Sequence, residues 1–197
     1  MLKQATRLTI ATVSAAALTA CTMMDDGMDD SMSASASQTV MVGGAEMFPT
    51  RNIVENAVNS ADHTTLVAAV KAAGLVDTLA GPGPFTVFAP TNAAFDALPA
   101  GTVPTLLKPE NKAMLTSVLT YHVVPGRMTS DDLARAIRQG GGMASLTTVN
   151  GGTLTARMMG SNIVIVDAKS GVATVTQADV MQSNGVIHVT NKVSLPG

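Results

Sequence analysis

The chain is poor in most of the residues that would make a chemistry easy to name. Its 197 residues include one cysteine, Cys21, so no disulfide can form within the chain and the core must hold the fold unaided. Tryptophan is absent and aromatics reach only 3%, too few for the stacking platforms that hold bases or sugar rings. Charged residues make up 13% and the formal net charge is −2, so no basic field marks a nucleic-acid binder. The three histidines form no His-x-His or His-x-x-x-His pair, which leaves no zinc-type spacing and no metal site. No Gly-x-Ser-x-Gly elbow occurs, and Gly140-Gly141-Gly142 is not followed by the Lys-Ser/Thr of a phosphate loop. Without a nucleophile, metal or acid–base constellation, the chain reads as non-enzymatic and free of cofactors. What remains is small and aliphatic: a chain 46% hydrophobic, suited to a dense core under a thin polar coat.

Residues 1–20 read as an export signal. Lys3 and Arg7 supply the positive start, Leu8 to Leu18 a short apolar stretch, and Thr19 and Ala20 the small residues before Cys21. The apolar run is too short to span a bilayer, which takes about 20 residues. Leu18-Thr19-Ala20-Cys21 resembles the lipobox of bacterial lipoproteins. That resemblance implies diacylglyceryl transfer to the Cys21 thiol, cleavage before it, and acylation of the new amino group. Two or more chains anchor stably where one binds marginally. Thr22, rather than Asp, follows the cysteine, which resembles the outer-membrane sorting signal of enteric-type bacteria.

Residues 21–45 read as the lipidated cysteine and a disordered acidic tether. Met24-Asp25-Asp26-Gly27 is nearly repeated as Met28-Asp29-Asp30-Ser31, and Gly, Ser and Asp favour disorder. Met24, Met28 and Met32 are soft thioethers that could suit Cu(I), but softness is the one criterion they meet. Removing the leader gives a mature net charge of −4, while the region from residue 47 carries +1. The charge asymmetry therefore lies in the tether, and the globular part does not work by charge steering.

Residues 46–197 read as one domain. Its first half is helical: a helix begins at Asn52, and a second is capped by Asp62 and stopped by Gly74. A strand covers Phe85–Ala89, followed by a short helix with Thr91 as N-cap and Phe95 and Leu98 turned inward. Pro109 opens a further helix whose apolar stripe is Met114, Leu115, Val118 and Leu119; another is capped at 129–132. The second half is a strand meander: residues 146–149, 153–159, 163–168, 172–180 and 186–193, separated by Gly-, Asn- and Ser-rich turns. Helices first and hairpins after make an α+β domain.

Three segments together resemble the fasciclin domain family. They are Thr86-Val87-Phe88-Ala89-Pro90-Thr91-Asn92-Ala93-Ala94-Phe95, Tyr121-His122-Val123-Val124-Pro125-Gly126, and the closing stretch from Asn184-Gly185-Val186-Ile187-His188 to Pro196. The resemblance covers about residues 48–197. It implies an α+β fold in which a fasciclin-like β-sandwich or wedge carries packed short helices, in an extracellular or envelope setting. It makes Thr91, Asn92, Phe95, Asn184, Gly185 and His188 structural signature residues. Animal members present the Tyr-His segment and an Asp-Ile pair to cell-surface receptors, which makes Tyr121, His122, Asp179 and Val180 the candidate partner-contact residues. Val180 stands where that pair has Ile, no Arg-Gly-Asp occurs, and receptor binding itself is not carried over.

The residues' own chemistry points to quieter roles. His122 is expected to tie a helix end to a neighbouring strand through a buried hydrogen bond, with Tyr121 half-buried beside it. His188 should be partly buried on a strand, and His63 exposed beside a helix cap. Met143, Met158, Met159 and 163–166 could line an apolar groove, and some algal fasciclin-type proteins bind carotenoids, so a hydrophobic small molecule is the alternative partner. The reading is a lipid-anchored protein of the bacterial outer membrane, contacting an unidentified protein or glycan at the cell surface, with no nucleic acid.

Overall fold

The computed structural model describes residues 39–197. The chain enters through a small hairpin, β1 (Val40–Val42) and β2 (Ala45–Met47), turned at Gly43-Gly44. Gly43 has φ +57, and a Cβ there would lie 2.6 Å from Ser60 Oγ, so both the turn and the close approach require glycine. Three short helices follow: α1 (Ile53–Ala57), α2 (Thr64–Ala73) and α3 (Val76–Ala80). Then come β3 (Phe85–Pro90), α4 (Asn92–Asp96), α5 (Thr102–Leu106), α6 (Lys112–Tyr121), β4 (Val123–Pro125) and α7 (Ser130–Gln139). The remainder is strand: β5 (Met143–Thr147), β6 (Thr153–Met159), β7 (Asn162–Val166), β8 (Val172–Gln182) and β9 (Gly185–Thr190).

Seven strands form one sheet in the order β4-β3-β9-β8-β7-β6-β5. The consecutive strands β5 to β9 pair antiparallel, as the turn signals require, whereas β3 lies parallel to β9 and β4 antiparallel to β3. Just beyond β5, Val149 N–H donates to the Val123 carbonyl of β4 at 2.8 Å, so the two edges meet and the sheet curls almost into a barrel. Near-closure removes most of the exposed edge that an open sheet would offer.

Two apolar interiors result. One lies between the helices and the sheet and includes Ile53, Leu66, Leu79, Val87, Leu119 and Ile187. The other fills the curl of the sheet under α7 and includes Phe88, Leu133, Ile137, Leu154 and Ile165. The two-residue period of β3 and β4 divides them, because Val87 and Val123 face the first while Phe88 and Val124 face the second.

The α+β class and the meander are as expected from sequence; several local expectations need correction. Residues 40–45 are part of the hairpin, not tether: Val42 and Met47 are buried in the helix-side core. Asp62 does not cap α2; a 3-10 turn at Ala61–His63 precedes that helix, with no side-chain cap. Met114 is solvent-exposed, so the buried stripe of α6 is Leu115, Val118 and Leu119. The five-residue helices α3 and α5 and the three-residue strand β4 were not anticipated, being too short for a periodic signal. Thr91 caps α4 as read, and within the capping stretch 129–132 the N-cap of α7 is Thr129, which forms a capping box with Asp132, whose carboxyl is held below its ordinary range by hydrogen bonds from Thr129.

Candidate functional site

The Tyr-His segment ends α6, with Tyr121 its last residue and His122 its C-cap. Tyr121 is 1% exposed rather than half-buried. Its hydroxyl donates to the Thr153 carbonyl at 2.7 Å and accepts from Ala168 N–H at 3.0 Å, joining β6 to the turn after β7. Burial raises its pKa. Gly152 packs on the ring so closely that a Cβ would lie 2.7 Å from Cε2.

His122 is buried too, and both ring nitrogens are used. Nε2 accepts from Ser194 N–H at 2.9 Å, which leaves the ring proton on Nδ1 to donate to the Val118 carbonyl at 2.8 Å. The second bond satisfies one of the carbonyls that a helix C-terminus leaves free. The ring thus ties the end of α6 to the C-terminal segment, through the kind of buried bond expected from sequence. Asp167 holds the same segment: its carboxylate accepts from Lys169 N–H, Gly171 N–H and Leu195 N–H at 2.9, 2.6 and 3.0 Å. An Asp two residues before Lys169-Ser170-Gly171, accepting from the Lys169 N–H, has the form of an Asx-turn, which that Asp and Gly spacing could have signalled.

Asp179 and Val180 lie in an irregular stretch of β8, where the register with β9 slips between Gln177 and Val180. Asp179 has φ +59, and its carboxylate accepts from the Ser130 backbone N–H at 2.7 Å and from the Ser130 hydroxyl. Val180 is buried. Asp179 N–H also reaches His188 Nδ1 at 3.4 Å, while His188 Nε2 donates to the Met128 carbonyl at 2.8 Å. The His188 ring stacks on Phe88, with centroids 5.6 Å apart, and is fully rather than partly buried. Burial lowers the pKa of both His122 and His188, which favours the neutral ring.

Among the four candidate contact residues, the buried Tyr121, His122 and Val180 cannot present their side chains to a partner, and the carboxylate of Asp179 is already committed. The structural signature residues are joints as well. Asn92 Oδ1 accepts from Thr65 N–H at 3.0 Å and its Nδ2 donates to the Ala61 carbonyl at 2.7 Å, stitching α4 to the start of α2. Thr91 caps α4 and Phe95 is buried in the helix-side core. Asn184 Oδ1 accepts from Ile53 N–H at 3.0 Å, and its Nδ2 donates to the Leu79 and Gly81 carbonyls at 2.8 and 3.0 Å. Gly185 presses against Phe85, where any Cβ would collide with the carbonyl.

The expectation for His63 was wrong: it is 3% exposed. Ser60 Oγ donates to the Val42 carbonyl at 3.2 Å and lies 2.9 Å from His63 Nδ1, so the hairpin and the imidazole share one hydroxyl. Nε2 has no hydrogen-bond partner among the described residues, and burial lowers the pKa of this ring also. Cavities of about 40 and 30 Å³ lie in the helix-side interior, room for little more than water-sized occupants. The methionine groove is not formed. The register pairs Met143 with Arg157, and Met143, Met158 and Met159 are exposed on the outside of the sheet. Cys21 and the tether methionines lie outside the described residues. Among the described residues, no cluster could hold a metal ion and no helix is long and apolar enough to cross a membrane.

Comparison with known proteins agrees with the signature segments. Protein sll1483 of Synechocystis sp. is 49% identical over 159 residues, which are 81% of each chain. The cell surface glycolipoprotein MPB83 of Mycobacterium bovis is 62% identical over 53 residues, 27% of this chain and 23% of that one. Among solved structures, the FAS1 domain pair of the insect cell adhesion molecule fasciclin I superposes with a TM-score of 0.67 at 18% identity. The likeness covers 74% of this chain and 51% of that one, and it is a likeness of fold. Fasciclin homologues are cell-surface and adhesion proteins, in general non-catalytic. The fasciclin domain model matches residues 61–196, and the chain belongs to the fasciclin domain family.

Proposed function

We propose that the chain is a lipid-anchored bacterial envelope protein whose fasciclin domain works by contact, binding a protein or glycan partner without chemistry. One observation carries the non-catalytic part. His122, His188 and the Tyr121 hydroxyl of the signature segments sit inside the fold, bound to backbone groups, and the cavity that His122 borders holds only about 40 Å³. A general acid or base needs reach to a substrate, and these groups have none. The lipobox-like Leu18-Thr19-Ala20-Cys21 and the similarity to a cell surface glycolipoprotein support the anchor. An outer-membrane location rests on Thr22 after the cysteine.

The test is mass spectrometry on the protein extracted from its host membranes, paired with fractionation of Cys21→Ser. A mass excess that survives denaturation and maps to Cys21, with the variant released from the membrane, is expected. An unmodified Cys21, or a variant that stays membrane-bound with unchanged processing, would remove the anchor from this reading.

A further inference from the structure

A cleft of about 530 Å³ lies where the α3–β3 connection, Gly81-Pro82-Gly83-Pro84, faces the β8–β9 turn, with Asn52 and Arg127 also lining it. That volume falls within the range of ligand sites. Its walls are tied together by hydrogen bonds. Asn184 Nδ2 bonds the Gly81 carbonyl, Phe85 N–H bonds the Asn184 carbonyl at 3.0 Å, and a Cβ on Gly83 would collide with that same carbonyl. Arg127 is fixed over the turn by Nη2, which donates to the carbonyls of Gln182 and Ser183 at 3.2 and 3.4 Å.

The side-chain groups left over can all donate. Arg127 Nη1 and Nε, Asn52 Nδ2 and the Ser183 hydroxyl have no acceptor among the described residues. The ion pairs among those residues are Lys108–Glu110 and Arg135–Asp132, so no carboxylate pairs with Arg127. Glu55 is near through Asn52, whose N–H it accepts, but it does not line the cleft. An arginine held in place, unpaired, beside neutral donors is matched by a ligand that presents a carboxylate and further acceptors. No aromatic ring lines the cleft, so it lacks the surface on which a sugar ring stacks, and a peptide fits better than a glycan.

We propose that this cleft binds an acidic peptide segment, its carboxylate on Arg127 and its backbone carbonyls on Asn52 and Ser183. The inference supplies a partner chemistry for the contact function proposed above and rests on that reading. Titration of the full-length, 15N-labelled protein in detergent micelles with acetyl-Gly-Asp-Gly-Asp-Gly-amide tests it. Shifts are expected at Gly81, Gly83, Ser183 and the Arg127 side chain, weakening as salt is added. Arg127→Gln should weaken binding about tenfold or more with the melting curve kept, and Ser183→Ala, which leaves Arg127 in place, by a smaller factor. Absence of shifts, shifts confined to other surfaces, or equal binding of the Asn-for-Asp peptide would overturn it. Tighter binding of a galacturonate oligomer would overturn the peptide assignment. A protein unmodified at Cys21 would sink the anchor while leaving this titration readable, and an empty titration would sink the cleft while leaving the anchor standing.

Discussion

Two regions of this domain bury a histidine, and they use it differently. Along the seam of α6, β9 and the C-terminal segment, His122 and His188 each join two backbone groups from separate parts of the chain. Under the N-terminal hairpin, His63 borders a small apolar cavity, shares one hydroxyl with the hairpin and leaves Nε2 without a partner among the described residues. Burial is equal in the two places; wiring is not. A buried polar group contributes through the partners it satisfies, and an unsatisfied one costs about 1–3 kcal/mol. The seam should therefore depend on its imidazoles, whereas the hairpin region should depend on its shape.

The sharpest way to break that contrast is to put phenylalanine at both positions. His122→Phe keeps a ring but strands Ser194 N–H and the Val118 carbonyl, so it should cost roughly 2–4 kcal/mol. His63→Phe gives up the Ser60 bond but also removes the orphan nitrogen, and should stay within about 1 kcal/mol of the parent. Denaturant melts of the two variants decide it. Equal losses would mean that volume, and not wiring, governs both sites.

If shape governs the hairpin region, Gly43→Ala should hurt more than His63→Phe. The new methyl would stand 2.6 Å from Ser60 Oγ and 2.7 Å from Asp62 N on a residue with φ +57. A left-handed non-glycine residue and an overpacked contact together should cost about 2 kcal/mol. A thermal melt unchanged by this substitution would show that the hairpin does not bear on the domain's stability.

The same comparison explains what could be read from the sequence. The meander was legible because Asn150-Gly151-Gly152, Gly160-Ser161-Asn162 and Lys169-Ser170-Gly171 punctuate alternating strands. The caps at Thr91 and Thr129 were legible because a hydroxyl three residues ahead of a free N–H is a local signal. The joint at His122 was legible as a buried bond, though its partner Ser194 was not, since 72 residues separate them. The hairpin is not legible because its strands are three residues each, too short for an alternation signal. The burial of His63 depends on that hairpin, which meets it through Ser60, so it is not legible either. Tyr121 was read as a half-buried contact residue because nothing local announces that Thr153 and Ala168 will converge on its hydroxyl.

Acid offers a smaller but cleaner probe. Burial lowers the pKa of all three histidines, so on acidification the unfolded chain takes up protons before the folded one does. Their contribution is full above the unfolded pKa near 6.5 and is lost as pH falls below it toward the folded values. Each imidazole can add at most about 1.4 kcal/mol per pH unit to that slope. Melts from pH 7 to pH 5 should fall steadily, and His63→Phe should flatten the slope without abolishing it. A flat profile in the parent would contradict neutral buried rings.

The smallest expected effect lies in the hydroxyl that the hairpin shares. Ser60→Ala removes the donor to the Val42 carbonyl and the partner of His63 Nδ1 together. Two lost bonds would suggest a large cost, but the 3.2 Å bond to Val42 is long, and the methyl fills nearly the same volume. The loss should therefore be about 1 kcal/mol, well below that of His122→Phe. A Ser60→Ala loss as large as the His122 variant's would mean that the hairpin is wired to the domain as firmly as the C-terminal seam, and the contrast between the two regions would close.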